Sequence, residues 1–226
     1  SKPVLYVVGD SFSAGHGINN YTDRYANRLA DQLEDRWQMI LVAKGGWGTA
    51  RQLEELARHR GNANENLTGS EVVLWQYYVN DIEQAGKQAG LVRPDIYLAA
   101  PWLLRPVVDN YHLANFLYWG VFRHIRSREL ARQYLDYLNR CFDDPQCWAI
   151  HREELQHVVD LAGDRDDVVP GHPSPDRQVI VVVYPNLVDI VGTRGMSDKV
   201  AAFFESHEIA VVNMADLLKD KPVKEI

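Results

Sequence analysis

The sequence predicts an α/β domain: a doubly wound, five-stranded, mostly parallel sheet with a helical insert between the third and fourth strands. Three observations predict it. Short β-rich apolar runs alternate with segments of helical period, as parallel sheets require. The first three runs each stop at Gly, Asn or Asp residues that break a strand. The chain of 226 residues is 46% apolar and 24% charged, the composition of one globular domain.

The elements follow in order. Val4–Val8 is an apolar run closed by Gly9 and reads as a buried strand. Tyr25, Leu29, Leu33 and Trp37 recur every four residues, which places them on one face of a helix. Met39–Ala43 is the second strand, stopped by Gly45-Gly46. Thr49 and Gln52 have capping-box spacing and open a helix carrying Leu53 and Leu56. The stretch 61–69 is polar and loop-like, and Val72–Tyr77 is the third strand, ending at Asn80-Asp81.

Residues 94–167 contain no clear strand and form the insert, with helices expected over Asn110–His124, Ser127–Cys141 and Ala149–Leu161. Val179–Tyr184 is the fourth strand, Ser197 is expected to cap a helix reaching about His207, and Ile209–Asn213 is the fifth strand. The whole chain, 1–226, reads as one domain.

Lys and Arg total 24 against 31 Asp and Glu, a net charge of −7, so nucleic acid is an unsuitable main partner. No apolar run approaches the roughly 20 residues of a membrane span. Cys141 and Cys147, with Asp143-Asp144-Pro145 between them, have spacing that can close a small loop disulfide or leave two free thiols. A disulfide would favour a periplasmic or secreted location, with any leader outside this chain. A zinc site would need more ligands than this pair, and no metal or organic cofactor is implied.

In an open parallel sheet the loops after the strand carboxyl ends line the ligand crevice. Three such loops are unusual. In Gly9-Asp10-Ser11-Phe12-Ser13-Ala14-Gly15 a small polar residue directly follows a buried strand. Free backbone N–H groups and a helix dipole there would suit a serine nucleophile, although Asp10 and Ser11 could equally just cap the helix. Gly45-Gly46-Trp47-Gly48-Thr49 lacks the Lys of a phosphate loop, but its glycines could present backbone N–H groups to a substrate, or simply turn the chain. In Tyr78-Val79-Asn80-Asp81 the Asn80 amide is a neutral, directional donor suited to polarising a carbonyl, or an ordinary turn residue.

Taken together, the three loops resemble the SGNH (GDSL-type) hydrolases. Gly9–Gly15 is similar to that family's GDSxxxG block, Gly46 in GWGT to its single glycine after the second strand, and Tyr78–Asp81 to GxND, with Tyr78 in place of Gly. The resemblance covers Val4–Asp81, resumes at Val179–Asp216 and does not cover the insert. It implies an ester hydrolase with Ser11 as nucleophile. The N–H groups of Ser11 and Gly46 and the side-chain amide of Asn80 would form the oxyanion hole. The substrate would be a small-molecule, lipid or carbohydrate ester. The same site could transfer an acyl group to a sugar hydroxyl, and a domain without a base could be a binding module.

The family's base is a histidine in an Asp-x-x-His block after the last strand, followed by a final helix. This chain reaches Ile226 where that block would begin, so base and helix are expected from residues beyond it. An apolar strip near the first strand should then be exposed or covered by a neighbouring chain. Asp109 and His112 have the Asp-x-x-His spacing but lie in the insert, and His172 precedes a strand, with Val169 where Asp is needed. The insert's Trp102, Tyr111, Phe116, Tyr118, Trp119 and Phe122 could form a lid or acyl-binding wall, or pack its helices onto the sheet. Arg123, Arg126, Arg128 and Arg132 read as a solvated face, and the acidic total charge lends membrane-surface contact no support.

Overall fold

A computed structural model of the chain describes residues 2–34, 36–63, 70–95, 100–163 and 177–219. Five strands form one sheet: β1 (Val4–Gly9), β2 (Gln38–Ala43), β3 (Glu71–Tyr78), β4 (Arg177–Tyr184) and β5 (Ala210–Asn213). Their order is β2-β1-β3-β4-β5, and every pairing is parallel. β1 lies between β2 and β3, so the chain reverses its direction of winding there, the position at which doubly wound sheets place their ligands.

The helices are α1 (Ser11–Ala14), α2 (Tyr25–Gln32), α3 (Thr49–Ala63), α4 (Glu83–Gln88), α5 (Arg105–Asn110), α6 (His112–Asp143), α7 (Pro145–Gly163), α8 (Arg194–Glu205) and α9 (Met214–Leu218). On one face of the sheet Tyr6, Val8, Val73, Trp75, Tyr77, Val181 and Val183 pack against Leu56 of α3, Leu138 of α6, Leu155 and Val158 of α7 and Val200 and Phe204 of α8. On the other, α2 packs Ala26 over Leu5 and Val7, leaving Val72, Leu74, Ile180 and Val182 half-buried and Val212 exposed. The less covered apolar strip therefore runs along β3, β4 and β5, while β1, where it was expected, is buried throughout.

Several expected boundaries shift for local reasons. α2 stops at Gln32, with Leu33 as its cap and Glu34 at a positive φ of 49°, so Trp37 lies beyond the helix. Thr49 and Gln52 form no capping box: Thr49 is already helical, the Gly48 carbonyl accepts the first helical N–H from Gln52, and the Gln52 amide reaches back to the Trp47 carbonyl. α3 continues through Ala63, into the stretch read as loop. Ser197 sits inside α8, its hydroxyl bonded to the Arg194 carbonyl, while Thr193 takes the cap position.

The helices expected over Asn110–His124 and Ser127–Cys141 form one helix from His112, with Asn110 closing α5; from His112 to Asp143 there is no proline to break it and a single glycine, Gly120. The Cys141–Cys147 disulfide is not formed. Both are buried free thiols on either side of the corner between α6 and α7, within hydrogen-bonding reach of each other, and burial raises both pKa values.

Candidate active site

A cavity of about 310 Å³ opens at the carboxyl ends of β1, β2 and β3, and Ser11, Gly46 and Asn80 all line it. The three come from separate turns that adjacent strands deliver to one place.

Ser11 is the first residue of α1, capped by Asp10, whose Oδ1 accepts the Phe12 N–H at 3.0 Å. The Ser11 hydroxyl makes a long contact of 3.4 Å to Asp10 Oδ2. α1 is a single turn, so its dipole is too small to be what favours negative charge here. Position comes instead from a buried network. Gln76 of β3 accepts hydrogen bonds at its Oε1 from the Asp10 N–H (3.2 Å) and the Ser13 hydroxyl (2.9 Å), and Ser13 shares a further bond with the Tyr25 hydroxyl (2.7 Å). Gly9 makes room for this: a Cβ there would lie inside van der Waals contact of Ser13 Oγ and Gln76 Oε1.

Gly46 is a glycine for a different reason. Its φ of +81° is left-handed, and the space beside it is empty, so conformation and not crowding requires it.

Asn80 sits on the 3-10 turn Val79–Ile82 directly after β3. The turn is fixed by Asp81, whose Oδ2 accepts the Tyr78 N–H at 3.2 Å. Burial holds the Asp81 carboxyl well above its ordinary pKa, and the neighbouring Asp10 charge adds to this. Asp10 is raised too, chiefly by burial. The Tyr78 ring meets that of Phe12 at a tilt of 33°, with centroids 4.6 Å apart, while Phe12 in turn meets Tyr184 at 5.6 Å. This residue, where the family block has glycine, thus clamps α1 onto the sheet.

The outer wall was not foreseen. Arg93 pairs with Glu83 at 3.2 Å and lies over the Tyr134 ring, while the Tyr134 hydroxyl donates to Glu83, tying α6 to the cavity rim. A glutamate at the start of one helix, an arginine in a loop and an aromatic within a long helix carry no local sign of meeting. Gln76 did carry one: it is an amide in the middle of the otherwise apolar run Val72–Tyr78, and a buried strand tolerates such a group only when it is hydrogen-bonded.

Among the described residues no histidine lines the cavity. Asp109 is on α5 and His112 opens α6, both exposed, and His172 lies outside the described residues. His151 is fully buried on α7 between Tyr77 (2.8 Å) and Glu154 (3.0 Å). Among the described residues no group of three or more His, Cys, Asp or Glu is placed to hold a metal ion.

The strand order and winding are those of a flavodoxin-like doubly wound α/β fold, which solved SGNH hydrolases share. The solved structure of AlinE4, an SGNH-hydrolase family esterase, matches 100% of this chain and 83% of its own at a TM-score of 0.52 and 13% identity. A carbohydrate acetylesterase family member from Sinorhizobium meliloti matches 96% of this chain and 84% of its own (TM-score 0.48, 14% identity), and TesA matches 93% and 77% (0.41, 14%). No protein-family profile and no curated protein matches the sequence.

Proposed function

We propose that the protein is a serine esterase that cleaves carboxylic esters through an acyl-enzyme on Ser11. The observation that carries this is the meeting of Ser11, Gly46 and Asn80 on one cavity wall, from three strands adjacent in the sheet. In this reading the Ser11 hydroxyl attacks the ester carbonyl. The oxyanion takes hydrogen bonds from the Ser11 and Gly46 N–H groups and the Asn80 amide. Collapse expels the alcohol and leaves an acyl-serine, which water then hydrolyses.

The Ser11 proton requires a base. We assign it to a histidine outside the described residues, since the titratable groups lining the cavity are Asp10, Asp81, Glu83 and Arg93.

The test uses the gene product at its natural length. A fluorophosphonate probe should label the parent and not Ser11→Ala. Asn80→Ala should lower kcat on a short-chain p-nitrophenyl ester by about 10²–10³-fold, the usual loss for one oxyanion donor. An Asn80→Ala enzyme with raised KM and undiminished kcat would remove the oxyanion role, and equal labelling of Ser11→Ala would remove the nucleophile.

A further inference from the structure

α6 spans 32 residues, about 48 Å at 1.5 Å per residue. Among its described side chains, the buried ones, Tyr137, Leu138, Cys141 and Phe142, lie in its carboxyl half. Its amino half and α5 form a projecting helical corner, locked by the Asn115 amide bonding to the Val108 carbonyl at 3.1 Å. From residue 101 to 120 the only buried side chain is Val108.

That corner is apolar where it is exposed. Trp102 is 78% exposed, Leu113 71% and Phe116 75%, with Leu103, Val107 and Tyr111 also exposed. Leu113, Phe116 and Leu117 share one helix face at i, i+3 and i+4. These aromatics do not pack onto the sheet, as one reading of the sequence had them. Contiguous exposed apolar surface of this kind marks an interaction site.

Charge selects the partner. The stretch 102–132 holds Arg105, Arg123, Arg126, Arg128 and Arg132 against Asp109 and Glu129, three net positive charges in a chain whose total is −7. Arg105, Arg128 and Arg132 are exposed. Exposed Trp, Tyr, Phe and Leu, followed along α6 by exposed Arg128 and Arg132, is the composition of a helix that lies in a bilayer interface and attracts anionic headgroups. Among the described residues no helix is long and apolar enough to cross a membrane, so the contact is peripheral. We infer that the α5–α6 corner docks the protein on the surface of an anionic lipid bilayer.

Vesicle flotation of the whole chain tests this. The chain should float with vesicles of equimolar phosphatidylcholine and phosphatidylglycerol, be released by high salt, and stay behind with phosphatidylcholine alone. The double variant Leu113→Ser, Phe116→Ser, with its fold checked by circular dichroism, should partition about tenfold less. Arg128→Glu with Arg132→Glu should lose the preference for anionic vesicles. Ser11→Ala should float as the parent does, so this inference and the esterase reading fail separately. Absence of flotation, or equal flotation of parent and Leu113/Phe116 variant, would overturn it. So would a parent that sediments as a dimer and a double variant that sediments as a monomer, which would make the corner a contact between copies.

Discussion

Placing one hydroxyl in this protein depends on an amide 65 positions along the chain from it. Gln76 accepts from both the Asp10 N–H and the Ser13 hydroxyl, and Gly9 clears the space for those bonds. Leucine at position 76 is close in size but accepts nothing, leaving a buried N–H and a hydroxyl to find other partners. Gln76→Leu is therefore expected to lower kcat by about 10- to 100-fold through misplacement of Ser11, with KM little changed. Steady-state kinetics check this, and restored turnover in Gln76→Glu, which keeps the acceptor, separates positioning from a general loss of packing. At this scale the sequence was legible where a residue type is unusual for its setting, as with the serine after a buried strand and the glycine needing a positive φ. It was silent on Glu83, Arg93 and Tyr134, whose meeting depends on where a long helix runs.

Among the elements, the strands were readable to within a residue or two because their apolar runs are short and end at turn formers. The helices were less so. The α6 sequence mixes aromatic, aliphatic and arginine residues on a helix that leaves the protein halfway along, which blurs the single apolar stripe that marks a helix packed along its whole length. α7 instead is pinned by a buried polar pair. Glu154 can only accept, so His151 Nδ1 carries the proton, and Nε2 accepts from the Tyr77 hydroxyl. Burial lowers the His151 pKa below its ordinary 6.5, so the ring is neutral in the fold. Unfolding frees it to take up a proton below that value. Its contribution is thus complete above pH 6.5 and is lost as pH falls toward the folded pKa, by up to about 1.4 kcal/mol per pH unit. Urea denaturation should show stability falling with acidification across this range, and His151→Gln should flatten that dependence. The His151 ring signals in NMR should stay at their neutral positions after exposed histidines have titrated.

For the whole molecule, the two ends of the sheet do different work. At the amino ends of the strands Glu71 bridges Arg60 and Arg177, each at 3.2 Å, with all three side chains largely buried. Glu71→Gln would remove the carboxylate that both guanidinium groups face, and should destabilise the fold by about 3 kcal/mol or more. Thermal unfolding checks it, with the cavity at the far end unchanged in shape. At the carboxyl ends the turns after β1, β2 and β3 converge on the cavity, and this has a consequence for how the protein comes into being. Of the five strands β1 is made first, and β3, which flanks it, is made third. A polypeptide cut short before Tyr78 already owns the serine and its glycines but has no hollow to put them in. The pocket is a late object, born only when the turn after β1 and the turn after β3 find each other.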